Sequence, residues 1–310
     1  VRGLKLLQTF TALCLLTKNI PRNLKTSIVT PLPKKEGPII AMDSIRPISV
    51  GPTLGRMVNK LLAIRVGNAI TELDLLDHAQ FAFLPGKNIH EPISSIIQCF
   101  AQSKNSPNNS DAKACYAIFY DISKAYDCMA WESVENALTR LGFDPAFKSY
   151  VMNSMTGTHL TMRTSIPEHQ TKPVQMHKGV KQGCPLAPIL FALVMDELHR
   201  GYREIGGYKI KNGPLVSSRG YCDDTAILAE DINTLEKMNK WTATFMARHN
   251  FNLNTTKTII TGRHKNGEPL TESLNWPINQ TPLSLHTPQE STRYLGAYIN
   301  MHLNWDKQIN

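Results

Sequence analysis

The chain has 310 residues, 42% of them apolar, and carries 34 basic against 25 acidic residues for a formal charge of +9. That is enough apolar material for one core, or for two lobes sharing a cleft. A membrane span needs roughly 20 apolar residues in a row, and no stretch comes near it. The longest early candidate, LLQTFTALCLLT (6–17), suits a buried helix and lacks the flanks of a signal peptide.

Charge is unevenly spread: residues 1–60 hold ten Lys and Arg against only Glu36 and Asp43. Gathered basic charge points to a polyanion, nucleic acid ahead of an anionic membrane surface, although a solvated face without a partner has the same composition. The six cysteines never fall into C-x-x-C and show no zinc-type pairing with the ten histidines. Free thiols in a reduced, intracellular compartment are expected, nucleus or cytoplasm being equally open.

In chain order, a helix is predicted over 4–17, followed by a proline-punctuated extended stretch with a strand at 26–32. TLGRMVNKLLAIRVGNAI (53–70) repeats its apolar residues at helical spacing, and a second helix covers 91–102. SKNSPNNSDAK (103–113) reads as a polar loop, CYAIFYDIS (115–123) as a buried strand, and WESVENALTRLGF (131–143) as a helix stopped by Gly142. A hairpin is predicted from 159–163 and 172–178, then a helix over 187–202 with Pro188 in its first turn. GYCDDTAIL reads as strand, tight turn, strand, and Asp231 as the N-cap of a helix over 232–249. Strands at 256–261 and near 292–299 complete a mixed α+β pattern.

Two adjacent aspartates, Asp223 and Asp224, stand between apolar runs in YCDD. A β-turn explains them, because Asp favours turns; so does a cation site, because a divalent metal converts carboxylate repulsion into attraction. Asp121 ends a second apolar run about a hundred residues earlier, in FYDISKAYD, with Asp127 six residues on. A sheet joining those strand ends would make a hard-oxygen site suited to Mg²⁺. Two-metal catalysis needs carboxylates that bridge cations about 4 Å apart. YCDD alone is a weak signal; its order with FYDISKAYD and KGVKQGCPLAPILFALVMDEL is a strong one.

These segments, with PLPKKEG, IRPIS, QFAFLPGKN and TRYLG, resemble the reverse transcriptases, most closely those of non-LTR (LINE-type) retrotransposons. The resemblance implies a right-hand polymerase fold with a central antiparallel palm sheet: fingers over 1–114, palm with inserted finger elements over 115–300, and 301–310 as the start of a thumb that is largely missing. It also implies an RNA-directed DNA polymerase, a nucleotidyltransferase using two Mg²⁺ ions (Mn²⁺ as substitute), an RNA template, a DNA primer and deoxynucleoside triphosphates. By resemblance Asp121, Asp223 and Asp224 are catalytic and bind metal, with the Ile122 carbonyl completing one ion's coordination. Tyr126 falls at the aromatic position beneath the incoming sugar, where a 2′-hydroxyl has no room; ordinary core packing is the alternative. Lys34 or its neighbour Lys35, with Arg46, resembles the triphosphate clamp, a task suited to the planar fork of Arg. Gln182 and Gly183 fall beside the template base and nascent pair, Lys257 near the pyrophosphate as a candidate general acid, and Tyr294, Leu295 and Gly296 at the turn supporting the primer end. The competing function is a catalytically inactive or domesticated relative that binds RNA as a scaffold. Cys222 stands where Ala is common, Cys184 follows the QG pair, and Tyr126 replaces a more frequent Phe; none alters the chemistry expected.

Overall fold

The computed structural model describes residues 2–34, 44–104, 113–163 and 171–309. Lys35 and most of the polar stretch 103–113 lie outside them. Helix α1 (Arg2–Leu16) opens the chain, and strands β1 (Thr26–Pro33) and β2 (Ile45–Val50) follow as an antiparallel pair. Pro31 sits opposite Pro47 in that register, a pair in which neither residue has an N–H to give across the ladder. Helix α2 (Thr53–Glu72) starts directly after Gly51-Pro52. Helix α3 (His90–Ser103) is opened by Asn88, whose side-chain Oδ1 accepts the N–H groups of His90 (2.9 Å) and Glu91 (3.2 Å).

Strand β3 (Cys115–Tyr120) is buried along its whole length and breaks at Asp121; β4 (Ile122–Ser123) resumes in a separate pairing. Helices α4 (Ala125–Cys128), α5 (Trp131–Arg140) and α6 (Pro145–Met155) follow, α5 ending just before Gly142 at φ 72°. Apolar spacing did not reveal α6, although its start is legible: Asp144 accepts the N–H groups of Ala146 and Phe147, with Pro145 at the first helical position. The predicted hairpin is present as β5 (His159–Met162) and β6 (Val174–Gln175).

Helix α7 (Ala187–Ile205) leads to a small hairpin, β7 (Tyr208–Lys209) and β8 (Leu215–Val216), and then to the long hairpin β9 (Ser218–Tyr221) and β10 (Asp224–Ala229). Helix α8 (Ile232–His249) begins where Asp231 accepts the N–H of Thr234 at 2.8 Å and ends at Asn250 in the left-handed region. After β11 (Asn252–Leu253), the strand predicted from 256 starts later, as β12 (Ile259–Arg263). The intervening Asn254 carbonyl accepts the N–H groups of Lys257 (3.2 Å) and Thr258 (2.9 Å), so the chain turns before it extends. Strands β13 (Ser284–His286), β14 (Thr292–Tyr294) and β15 (Ala297–Ile299) complete the set. The last two replace the single strand expected near 292–299: Leu295 and Gly296, at φ 51° and 85°, form a two-residue turn between them.

The chain divides into two compact units, each drawn from two stretches: residues 1–72 with 126–193, and 73–125 with 194–310. The first holds a four-stranded sheet in the order β2-β1-β5-β6, where β5 runs parallel to β1. The second holds a five-stranded sheet in the order β13-β12-β3-β10-β9, with β3 at its centre and antiparallel to both neighbours. Alternate residues of β3 point to opposite faces. Cys115, Ala117 and Phe119 join a core cluster with Ile96, Cys99 and Phe100 of α3, whereas Tyr120 reaches Asn239 of α8. A strand covered on both faces reads as continuous apolar sequence. No helix among the described residues is long and apolar enough to cross a membrane.

Leu228, fully buried on β10 in that cluster, is expected to cost about 2–5 kcal/mol when cut to Ala. Val174, 65% exposed on β6, should shift stability by less than about 0.5 kcal/mol. Urea unfolding of the two variants checks the contrast.

Candidate active site

Strands β3 and β10 pair with Tyr120 opposite Thr225, so Asp121 and Asp224 are the next facing positions along the ladder. Asp224 pairs in turn with Tyr221, leaving Cys222-Asp223 as a two-residue hairpin loop. Only the first loop residue has positive φ (Cys222, 62°), the pattern of a type II′ turn, which normally prefers Gly there. The three aspartates therefore meet at one end of the sheet. Burial raises the pKa of Asp223, with the charge of Asp121 adding to it against the hydrogen bonds of the turn. Asp224 is pushed up to about 6, by desolvation first and then by Asp223 and Asp121, while Arg293 pulls it down. Its side chain is open to solvent, which screens part of that repulsion.

Hard-oxygen groups that disfavour one another's ionisation are the donor chemistry a divalent cation suits. Among the described residues, however, no group of three or more His, Cys, Asp or Glu side chains is gathered closely enough to hold a metal ion. The aspartates share a sheet end without closing into a cage.

Each arm of this end is tied down by backbone hydrogen bonds. Fully buried Gln80 accepts the N–H of Cys222 at 3.3 Å and that of Ala82 at 3.0 Å through Oε1. Beside it Gly220 donates to the Ala79 carbonyl (2.8 Å) and accepts from Phe81 (2.9 Å), fixing the 79–82 segment along β9. On the other arm, the Asp121 N–H donates to Thr258 Oγ1 at 3.2 Å and its carbonyl accepts from Asn254 at 2.9 Å. Ile122 is buried and paired with Leu253. Lys257 is exposed on the same 254–258 segment that grips Asp121. Tyr294 is buried, its ring tilted against that of Phe119, and donates its hydroxyl to the Arg219 carbonyl of β9 at 2.9 Å. It braces the sheet, Leu295 packs on the core cluster, and Gly296 alone of the three is exposed. Behind β9, His199 is fully buried with Nδ1 at 2.9 Å from Ser218 Oγ, and burial pulls its pKa down to about 4.

The remaining candidates belong to the first unit. The Tyr126 ring lies parallel to that of buried Phe191, centroids 4.9 Å apart, so one face is core-packed and the residue is half-buried. Its carbonyl accepts the Val180 N–H at 2.8 Å. Gly179 lies so close that a Cβ would stand 2.6 Å from the Asp127 carbonyl. Gln182 donates through Nε2 to both carboxylate oxygens of Asp127, at 3.0 Å each, and its carbonyl accepts the Ser49 N–H at 2.6 Å. Gly183, at φ 111°, would put a Cβ 2.7 Å from the Ser49 carbonyl. The QG pair is thus docked on β2 by contacts that only glycine permits. Arg46, opposite Leu32 on that ribbon, and Lys34, whose N–H donates to the Ser44 carbonyl, are both exposed near its end.

Sequence reasoning overlooked Gln80, Thr258 and Ser49, and saw Asp127 only as a nearby carboxylate. Gln80 left one signal, a lone amide between apolar residues in AQFAF; Thr258 and Ser49 left none, since each acts through a contact distant in sequence.

The family described as "Reverse transcriptase (RNA-dependent DNA polymerase)" matches residues 32–299. The chain is 27% identical over 281 residues to the retrovirus-related Pol polyprotein from type-2 retrotransposable element R2DM of Drosophila melanogaster, covering 90% of this chain and 25% of that protein. It is 26% identical over 303 residues to the corresponding R2 polyprotein of Popillia japonica, covering 96% and 41%. The chain thus spans between a quarter and two fifths of these relatives. Among solved structures, apo telomerase from Candida tropicalis truncated from its C-terminal domain superposes with a TM-score of 0.60 at 13% identity, over 94% of this chain and 57% of that one, a likeness of fold.

Replacing Gln80 with Leu removes the acceptor for the Cys222 and Ala82 amides; both should exchange hydrogen at least about tenfold faster, the equivalent of roughly 1.4 kcal/mol, as read by NMR. A second expectation concerns pH. A carboxyl whose folded pKa exceeds its unfolded value supports folding while protonated, so the Asp224 contribution is present below about 3.8 and lost as pH rises through about 6. His199, lowered to about 4 from 6.5, has the opposite slope in that window. Asp224→Asn should therefore make metal-free stability rise more steeply from pH 4 to 6 than in the parent, and identical slopes in denaturant titrations would remove the assignment.

Proposed function

Because the chain belongs to the reverse transcriptase (RNA-dependent DNA polymerase) family, we propose that it copies an RNA template by adding deoxynucleotides to a DNA primer, as part of the polyprotein of a non-LTR retrotransposable element. One observation carries this reading: Asp121 and Asp224 face each other at neighbouring strand ends, with Asp223 in the turn between β9 and β10. Asp121, Asp223 and Asp224, with the Ile122 carbonyl, would hold two Mg²⁺ ions, or Mn²⁺ in their place. Bound there, such ions supply charge neutralisation at the attacking and leaving oxygens.

The chain's own groups do the rest. Arg46 and Lys34, or Lys35 in its place, hold the triphosphate; the fork of Arg46 takes two phosphate oxygens at once. Tyr126, backed by Phe191, walls the sugar where a 2′-hydroxyl would stand. Gln182, fixed by Asp127, and Gly183, which lacks a side chain, sit at the template base and the nascent pair. Lys257 gives a proton to the departing pyrophosphate. Gly296, at the tip of the last hairpin, is where the primer end rests, with Leu295 and Tyr294 anchoring that tip. In this reading 1–114 supply fingers, 115–300 the palm, and 301–310 lead into a thumb. All six cysteines are free, in keeping with work inside the cell, in nucleus or cytoplasm.

Primer extension on an RNA template with Mg²⁺ is the test. Removing a metal carboxylate forfeits several kcal/mol of transition-state stabilisation, so Asp223→Ala should reduce extension by roughly 10³-fold or more with the fold kept; retained activity would overturn the metal assignment. Template binding without extension, equal in parent and variant, would favour an RNA-binding scaffold. Tyr126→Ala should narrow discrimination against ribonucleotides by at least about tenfold, a loss of roughly 1.4 kcal/mol, in single-nucleotide incorporation; unchanged selectivity would count against the sugar wall.

A further inference from the structure

A cavity in the first unit, bounded by Leu24, Ser27, Gly51, Gly55, Arg56 and Lys181, lies at the N-terminus of α2. Three features of it point the same way. Helix α2 is 20 residues long and starts at Thr53 after a proline. Its first N–H groups have no partner within the helix, and Pro52 has no side-chain acceptor to cap them. Ser27 is only 3% exposed, and its Oγ has no hydrogen-bond partner. That hydroxyl faces the helix start: a Cβ on Gly51 would stand 3.3 Å from it. A buried hydroxyl without a partner is costly and uncommon.

The third feature is charge. Arg56 and Lys181 line the cavity, Lys25 lines the neighbouring one that shares Lys181, and among the described residues no Asp or Glu lines either. Burial lowers the pKa of Lys181, and that of Lys25 is lowered by burial and then by Arg22 and Lys181. Lys181 thus disfavours the charge of Lys25. Asn59, which lines both cavities, is already committed: it donates to Cys184 Sγ at 3.3 Å and accepts from Tyr150 at 2.8 Å. A helix N-terminus, an idle buried hydroxyl and cations with no carboxylate among the described lining residues together suit an anion with several acceptor oxygens.

We propose that this cavity is a phosphate-binding site, in which the N-terminus of α2, Ser27 Oγ, Arg56 and Lys181 hold one phosphate group. Assigning that phosphate to the nucleic-acid strand rests on the polymerase reading above; the site itself does not. A backbone phosphate held here would anchor the strand through the loop that carries Gln182 and Gly183, since Lys181 immediately precedes them.

Melting of the whole chain in inorganic phosphate against chloride at equal ionic strength tests the site without requiring activity. Phosphate should raise Tm by several degrees in the parent and by much less in Ser27→Ala and Lys181→Gln. Without phosphate, Ser27→Ala should be no less stable than the parent, because it removes an unsatisfied group. Equal effects of phosphate and chloride on the parent would overturn the proposal whatever the variants do, as would a full phosphate response in Ser27→Ala. Template–primer binding then identifies the source. Lys181→Gln should weaken binding roughly tenfold and flatten its salt dependence by about 0.7–0.9 in log–log slope. A neutral methylphosphonate at one template linkage should abolish that difference if the strand is the ligand. A raised nucleotide KM with no such linkage would instead assign the site to a triphosphate, and no change in either would overturn its assignment to polymerase substrates, the site itself standing or falling on the melting test.

Discussion

Three carboxylates at one end of a sheet repel each other, and the rest of the second unit is arranged so that they stay there. The central strand β3 is buried on both faces, so its end is placed by packing against α3 and α8 as well as by two antiparallel neighbours. Backbone ties then take over at the point where the ladder stops. Asp121 is held through both its N–H and its carbonyl by the 254–258 segment, and the Cys222-Asp223 loop is held by Gln80. None of these ties uses a carboxylate oxygen, and only the carboxylate of Asp223 is engaged within its own turn, so the main chain positions the acid groups without occupying their lone pairs.

The first unit solves a different problem by close approach. Gly179 and Gly183 bring the loop before α7 within less than a side chain's breadth of the Tyr126–Asp127 backbone and of Ser49. Asp127 then fixes the Gln182 amide, and Phe191 fixes the Tyr126 ring. Steric exclusion and a carboxylate–amide pair define positions here. In the second unit, hydrogen bonds to main-chain groups do so.

Elements whose signal is local were legible in the sequence. Helix α8 was bounded correctly at both ends because Asp231 caps it and apolar residues repeat through it, and the strand–turn–strand around YCDD was plain from two apolar runs flanking adjacent aspartates. The aspartates themselves were legible through their order along the chain. The start of β12 was missed because Asn and Thr form a local turn before it, and the split of β14 from β15 because Leu295 adopts a backbone conformation that leucine seldom takes. Gln80, Thr258 and the Ser27 cavity were not legible. Each depends on a partner far away in the chain, and no local period or motif encodes such a meeting.

The two units are interleaved, each assembled from one early and one late stretch, and this bears on the order in which the protein can be made. A ribosome delivers residues from the N-terminus onward. Strand β1 finds its antiparallel partner β2 within one to two dozen residues, but its parallel partner β5 is over a hundred residues away. Strand β3 emerges with no sheet neighbour at all, since β10 and β12 follow about a hundred or more residues later. This fully buried strand must therefore wait, unpaired, through the synthesis of residues 126–193, the late stretch of the first unit. Such long-range closure is intrinsically slow, which makes nascent β3 the segment most in need of a chaperone during translation.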